Sequence, residues 1–218
     1  MKFFIDTANL DQIREAAQLG ILDGVTTNPT LMAQEGVKGK EEIHQRYRDI
    51  CKIVKGDVSA EVFSTDYDDI LKEGSELASL ASNIVVKVPM IKDGIRAIST
   101  FTKQGIKTNC TLVFSSGQAI LAAKAGATYV SPFIGRIDDS GWDGMTLIAE
   151  IVQLYHNFGM QTQVLAASIR SPLHIIKSFQ LGSDVVTAPL SAILGLLKHP
   201  LTDNGLAKFL ADAEKMRG

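Results

Sequence analysis

The segment IVVKVP, residues 84–89, decides the fold. Apart from its lysine it is a run of β-branched residues closed by proline, the composition of a parallel strand buried on both faces. A lone ammonium on such a strand is costly to bury, so Lys87 must pair, lose its proton or line a cavity. A neutral amine is what attack on a carbonyl requires. The bland alternative is a lysine reaching along the rim to solvent, and the flanking Val86 and Val88 argue against it.

The same unit recurs on both sides of this segment: a β-branched run, a polar turn, an amphipathic stretch and a glycine. Strand candidates are KFFID (2–6), GVTT (24–27), VSAEV (58–62), IVVKVP (84–89), IKTNCTL (106–112), TYVSPF (128–133), TQVLAAS (162–168) and SDVVTA (183–188). Asn9 with Gln12 predicts a capping box opening the first helix. Ile148, Ile151, Val152 and Tyr155 recur at helical spacing. Ser171 followed by Pro172 predicts an N-cap with proline at the first helical position. Gly105, Gly126, Gly159 and Gly182 each precede a strand, where a helix-ending glycine belongs. Strands alternating with helices leave a doubly wound open sheet or a closed (β/α)8 barrel. The number of strands favours the barrel, as one domain over 1–218, near the lower size limit of about 200 residues for that fold. Residues 203–213, with the stripe Leu206, Phe209, Leu210 and Ala213, are expected to add a C-terminal helix. It either closes over its own barrel or docks on a neighbouring subunit.

Bulk properties exclude several classes. The formal net charge is −2, so neither nucleic acid nor an anionic membrane is expected as partner. No run of about 18 uncharged apolar residues is present to span a bilayer, and Asp6 interrupts the N-terminal apolar run too early for a signal peptide. Two cysteines, Cys51 and Cys110, form no paired motif, and the histidines do not cluster, so no metal site is expected. Glycine-rich nucleotide loops are absent, and no cofactor is expected. A reduced cytoplasmic setting is the expectation.

Polar side chains mark the C-terminal ends of the strands: Asp6, Asn28, Glu61, Lys87, Asn109 with Thr111, Ser131 and Ser168. In a parallel barrel these ends share one face, where the active site is built. Lys2 and Lys107 lie at strand starts, on the opposite face. A carboxylate near a reactive lysine can move protons, which gives Asp6 and Glu61 a candidate role. Their alternative is capping or a plain ion pair. Arg136 and Arg170 follow the sixth and seventh strands and suit bidentate phosphate binding; for Arg136 the alternative is a rim pair with Asp138 or Asp139. His44, His156, His174 and His199 fall on helices or their ends, so catalysis by histidine is not expected.

The segments FIDTAN (4–9), GVTTNPT (24–30), VVKVPM (85–90), TNCTLVF (108–114), YVSPFIGR (129–136) and LAASIR (165–170) resemble, in this order, the motifs of transaldolases. The likeness is to the short subgroup that also holds the fructose-6-phosphate aldolases, and it spans essentially the whole chain. It implies an (α/β)8 barrel and a Schiff base on Lys87. It further implies Asp6 as acid/base at the substrate C4 hydroxyl, and Glu61 with Thr111 as the handlers of a catalytic water. Asn28, Asn109 and Ser131 would bind the dihydroxyacetone part, with Phe133 as an aromatic wall and Arg136, Ser168 and Arg170 as phosphate contacts. Transaldolases resemble this chain in carrying Glu at 61 and Phe at 133, where the aldolases typically carry Gln and Tyr. A barrel that only binds sugar phosphates is the non-catalytic alternative. The subgroup is associated with ring-shaped decamers, which implies a homo-oligomer joined by the C-terminal helix.

Overall fold

In the computed structural model, which describes residues 1–217, eight parallel strands close into a barrel in chain order. The elements are β1 (Lys2–Asp6), α1 (Leu10–Gln18), β2 (Gly24–Thr26), α2 (Pro29–Gln34), α3 (Gly39–Ile53), β3 (Asp57–Glu61), α4 (Tyr67–Ala78) and β4 (Ile84–Pro89). They continue as α5 (Lys92–Lys103), β5 (Thr108–Val113), α6 (Ser116–Lys124), β6 (Tyr129–Pro132), α7 (Ile134–Asp139), α8 (Gly144–Asn157) and β7 (Gln163–Ala166). Last come α9 (Pro172–Gln180), β8 (Val185–Ala188), α10 (Leu190–Leu194), a single 3₁₀ turn and α11 (Pro200–Arg217). The first strand pairs with the last, Phe4 beside Thr187. The open doubly wound sheet is thereby excluded, and the (β/α)8 barrel stands.

Alternation along each strand sorts side chains into two layers. Ile5, Val25, Val58, Val86, Val88, Cys110 and Val130 face outward into one apolar layer beneath the helices, joined by Ile13, Ile50, Phe101 and Ile151. Phe4, Val85, Tyr129, Leu165 and Val185 face inward and fill the barrel's lower half. Phe4 lies edge-on to Tyr129, ring centroids 5.8 Å apart. Gly24 is required by that filling, because a Cβ there would sit 2.5 Å from the Phe4 ring. Polar residues occupy the upper inner layer, and this apolar floor separates them from Lys2 and Lys107 at the other end. There Lys107 pairs with Asp57 at 2.9 Å, and Lys2 donates to Gln163 at 3.1 Å.

Local expectations are met in part. Ser171 caps α9 by accepting from the His174 amide, with Pro172 at the helix start. Gly105, Gly126, Gly159 and Gly182 all have positive φ. Asn9 caps α1, but the reciprocal half of the box is missing: Gln12 Oε1 instead accepts from Thr7 Oγ1 at 2.8 Å. Strand ends trim inward by one or two residues at β6, β7 and β8, where parallel pairing stops with the neighbour's register, while β5 begins two residues later and ends one residue later than expected. The C-terminal helix is longer than 203–213 and buries none of its residues, so it is not a cover for its own barrel. No helix among the described residues is long and apolar enough to cross a membrane.

Candidate active site

The upper inner layer encloses a cavity of about 100 Å³ lined by Asp6, Thr26, Asn28, Lys87, Ser131, Phe133, Arg136, Ser168 and Thr187. Larger hollows exist elsewhere, such as one of about 450 Å³ between α3 and α4. Three charged groups of that hollow are occupied with structure, Lys40 and Glu76 by each other and Glu73 by the amides of Phe63 and Ser64. The barrel-mouth cavity is smaller but draws its lining from strand ends far apart in sequence.

Register places the chemistry. Glu61 on β3 lies beside Lys87 on β4, and Lys87 beside Asn109 on β5, so all three share the inner face. Lys87 is 5% exposed. Its Nζ lies 3.1 Å from Glu61 Oε2 and donates to the Thr27 carbonyl at 3.4 Å. Two valines beside it in sequence face outward, so strand alternation alone turns the lysine into the barrel. Glu61 is itself braced, its amide donating to Tyr47 Oη at 3.2 Å.

Asp6 ends β1. Burial pushes its carboxyl above the ordinary carboxylate range, and the Lys87 charge and a Thr26 hydrogen bond offset part of that rise. Thr26 Oγ1 donates to Asp6 Oδ1 at 2.7 Å. Asn109 donates to Ser59 at 3.1 Å and accepts from Ser131 at 2.7 Å, a buried amide fixed from both sides. Thr111 is fully buried on the same strand, and its Oγ1 has no hydrogen-bond partner among the described residues. A bulge between Cys110 and Val113 puts Leu112 at φ +60° and turns Val113 into the outer layer. Asn28 is partly diverted to structure, since its Oδ1 caps α2 by accepting from the Leu31 amide at 3.0 Å.

The two arginines part company. Arg136 lines the cavity with its guanidinium 4.9 Å from the Phe133 ring centroid, and Phe133 is braced edge-on by Phe114 at 5.9 Å. Its expected rim partners are taken by others: Asp138 faces His174 at 3.2 Å and Asp139 holds Arg170 at 2.6 Å. Arg170, held by Asp139, is not among the residues that line the cavity. Ser168 stands at φ +59°, a conformation costly for a non-glycine residue. The Gly135 amide holds it there by donating to the Ser168 carbonyl at 3.0 Å. Sequence reasoning missed Thr26, Ser59 and Thr187. Their visible mark was inward parity: Thr26 lies two residues after Gly24, and Thr187 two after Val185.

A parallel barrel whose strand-end face gathers a buried lysine, two carboxylates and an arginine has the layout of an enzyme. A family model described as Transaldolase/Fructose-6-phosphate aldolase matches residues 3–218. Probable transaldolases of Cytophaga hutchinsonii and Phocaeicola vulgatus are each 66% identical over 218 residues, covering 100% of both chains. One from Flavobacterium psychrophilum is 63% identical over 215 residues, covering 99% of each. A solved thiamine phosphate pyrophosphorylase from Pyrococcus furiosus superposes with a TM-score of 0.62 at 16% identity, covering 89% of this chain and 87% of that one. That likeness is of fold alone. The chain belongs to the transaldolase/fructose-6-phosphate aldolase family and is an enzyme of the transaldolase type.

Proposed function

We propose that the protein transfers a dihydroxyacetone unit from a ketose phosphate to an aldose phosphate through a Schiff base on Lys87, without a cofactor. The donor is sedoheptulose 7-phosphate or fructose 6-phosphate, and the acceptor is an aldose phosphate such as glyceraldehyde 3-phosphate. The reaction belongs to the non-oxidative pentose phosphate pathway. The observation that carries this reading is the buried Lys87 amine 3.1 Å from Glu61 within the cavity that Asp6 lines.

Lys87 Nζ adds to the ketose C2 carbonyl, and the C2 oxygen leaves as water to give a protonated imine. Glu61 supplies and receives the protons of that step, and Thr111, with its unpartnered buried hydroxyl, holds the water. Asp6 then takes the C4 hydroxyl proton. The freed electron pair forms the C4 carbonyl, the C3–C4 bond breaks, and its electrons pass toward the imine nitrogen as an enamine. The aldose phosphate departs, and the enamine adds to the acceptor aldehyde by the same steps reversed. Asn28, Asn109 and Ser131 hold the dihydroxyacetone hydroxyls. Arg136 and Ser168 receive the phosphate. Arg170 joins them by leaving Asp139, an exposed pair worth about 0–1 kcal/mol and easily exchanged.

Glu61 and Phe133 favour transfer over release of free dihydroxyacetone. A phenyl ring offers no proton to quench the enamine, which then persists until an aldehyde arrives. Fructose 6-phosphate turnover is expected to require an acceptor such as erythrose 4-phosphate; equal turnover without acceptor would make the protein an aldolase. Phe133→Tyr is expected to raise acceptor-independent dihydroxyacetone release by about a hundredfold, the low end of what a placed proton donor contributes. Unchanged release in that variant would remove Phe133 from the account of specificity.

We also propose a homo-oligomer joined through α11, a decamer by the family resemblance. Leu206, Phe209 and Leu210 are 56%, 72% and 58% exposed on it, an apolar stripe that water disfavours. Light scattering should give a mass several times that of one chain, reduced by Phe209→Asp. A monomeric wild type would refute this part.

A further inference from the structure

We infer that Thr26 and Thr187 are positioning residues for Asp6, forming a two-hydroxyl chain that fixes which carboxylate oxygen meets the substrate. The inference rests on the acid/base role proposed above for Asp6. Thr26 lies directly beside Asp6 across the β1–β2 pairing, and Thr187 reaches the same point from β8 on the other side of β1. Both threonines are 2% exposed, and both line the cavity with Asp6.

The distances allow one proton order when Asp6 is ionised. Thr26 Oγ1 lies 2.7 Å from Asp6 Oδ1 and 2.6 Å from Thr187 Oγ1. Each hydroxyl carries one proton. A carboxylate only accepts, so Thr26 gives its proton to Asp6 and must accept the proton of Thr187. The chain therefore points from β8 through β2 to β1. It occupies Oδ1 and leaves Oδ2, which has no hydrogen-bond partner among the described residues, for the substrate hydroxyl. When Oδ2 takes the substrate proton, Oδ1 still accepts and neither threonine has to turn. β-branched side chains on strands have few rotamers, so the hydroxyls hold their places at low entropic cost.

The charged groups around Asp6 are few. Lys87 from β4 faces it, Glu61 from β3 is bound to Lys87, and Arg136 from α7 stands in the same cavity. Within this set Thr26 supplies the one direct hydrogen bond to Asp6 from a neutral side chain. Removing it disfavours the ionised, proton-accepting form and frees the carboxylate to rotate.

The test is a pH profile of acceptor-dependent fructose 6-phosphate turnover for wild type, Thr26→Val, Thr26→Ser and Thr187→Val, with borohydride trapping alongside. Thr26→Val is expected to lower kcat by about tenfold to a hundredfold, as loss of a hydrogen bond to a charged group does. The acidic limb should move to higher pH, while KM for the donor changes by less than about threefold. Thr26→Ser should restore both limb and kcat. Thr187→Val should move the limb in the same direction by less, and it carries the test should Thr26→Val not fold. All variants should trap adduct on Lys87 as wild type does. Normal trapping with an unmoved limb and unchanged kcat overturns the positioning role alone. Absence of adduct in wild type overturns the reading of the site, and this inference with it.

Discussion

Lys87→Met is expected to lower transfer activity by at least about ten-thousandfold, the scale on which covalent catalysis is lost with its nucleophile. Methionine matches the stem in length and apolarity, so the strand itself is preserved. The partners suffer instead. Glu61, with a side chain 14% exposed, loses the cation 3.1 Å away. An uncompensated buried charge of this kind costs about 3–5 kcal/mol when it cannot be neutralised. Asp6 loses the charge that offsets its burial, so its carboxyl rises further above the ordinary range. The variant should therefore be less stable than wild type, and more so at neutral pH than in acid. Adding Glu61→Gln should recover part of the lost melting temperature and none of the activity. Activity within tenfold of wild type in Lys87→Met would dismiss the lysine as nucleophile.

Asp6→Asn separates activity from stability. The amide keeps an acceptor for Thr26 but cannot take a proton, so a loss of about a hundredfold to ten-thousandfold is expected. Schiff-base formation precedes that step. With fructose 6-phosphate, borohydride should then trap the uncleaved six-carbon adduct where wild type traps a three-carbon one. Stability moves the other way. An exposed aspartate ionises near 3.8, and burial raises the folded value. Below 3.8 both states carry a neutral carboxyl and ionisation costs folding nothing. As pH rises through the folded value, the cost of ionising Asp6 inside the barrel falls on the native state. The melting temperature of Asp6→Asn relative to wild type should therefore increase from acid to neutral pH. A gap that stays constant or narrows would contradict burial as the cause.

How legible was all this beforehand? Lys87 could be read because a charge between valines violates the pattern of a buried strand, and violations of that kind mark function. Asp6 and Glu61 ended strands in the same way. The barrel followed from repetition of the unit, since buried parallel strands need helices on their outer face. What stayed hidden was partner choice. Asp139 and Arg170 are 31 residues apart, and nothing local predicts that their loops meet at 2.6 Å. Asn28 looked like a binding residue and is also a helix cap, two demands that one side chain meets with different atoms. Thr26 and Thr187 were invisible because threonine is an ordinary strand residue. Only the closure of β8 onto β1 brings their oxygens to 2.6 Å across 161 positions.

The central claim is that Lys87 forms the covalent bond to the ketose. The direct test is borohydride reduction of the wild-type protein with fructose 6-phosphate, followed by proteolysis and mass spectrometry of the peptide containing residues 84–89. The account predicts a three-carbon adduct on Lys87, stoichiometric with chains and absent when substrate or borohydride is omitted. An unmodified Lys87 in protein that has lost activity through an adduct elsewhere, or full activity with no adduct at all, would contradict it.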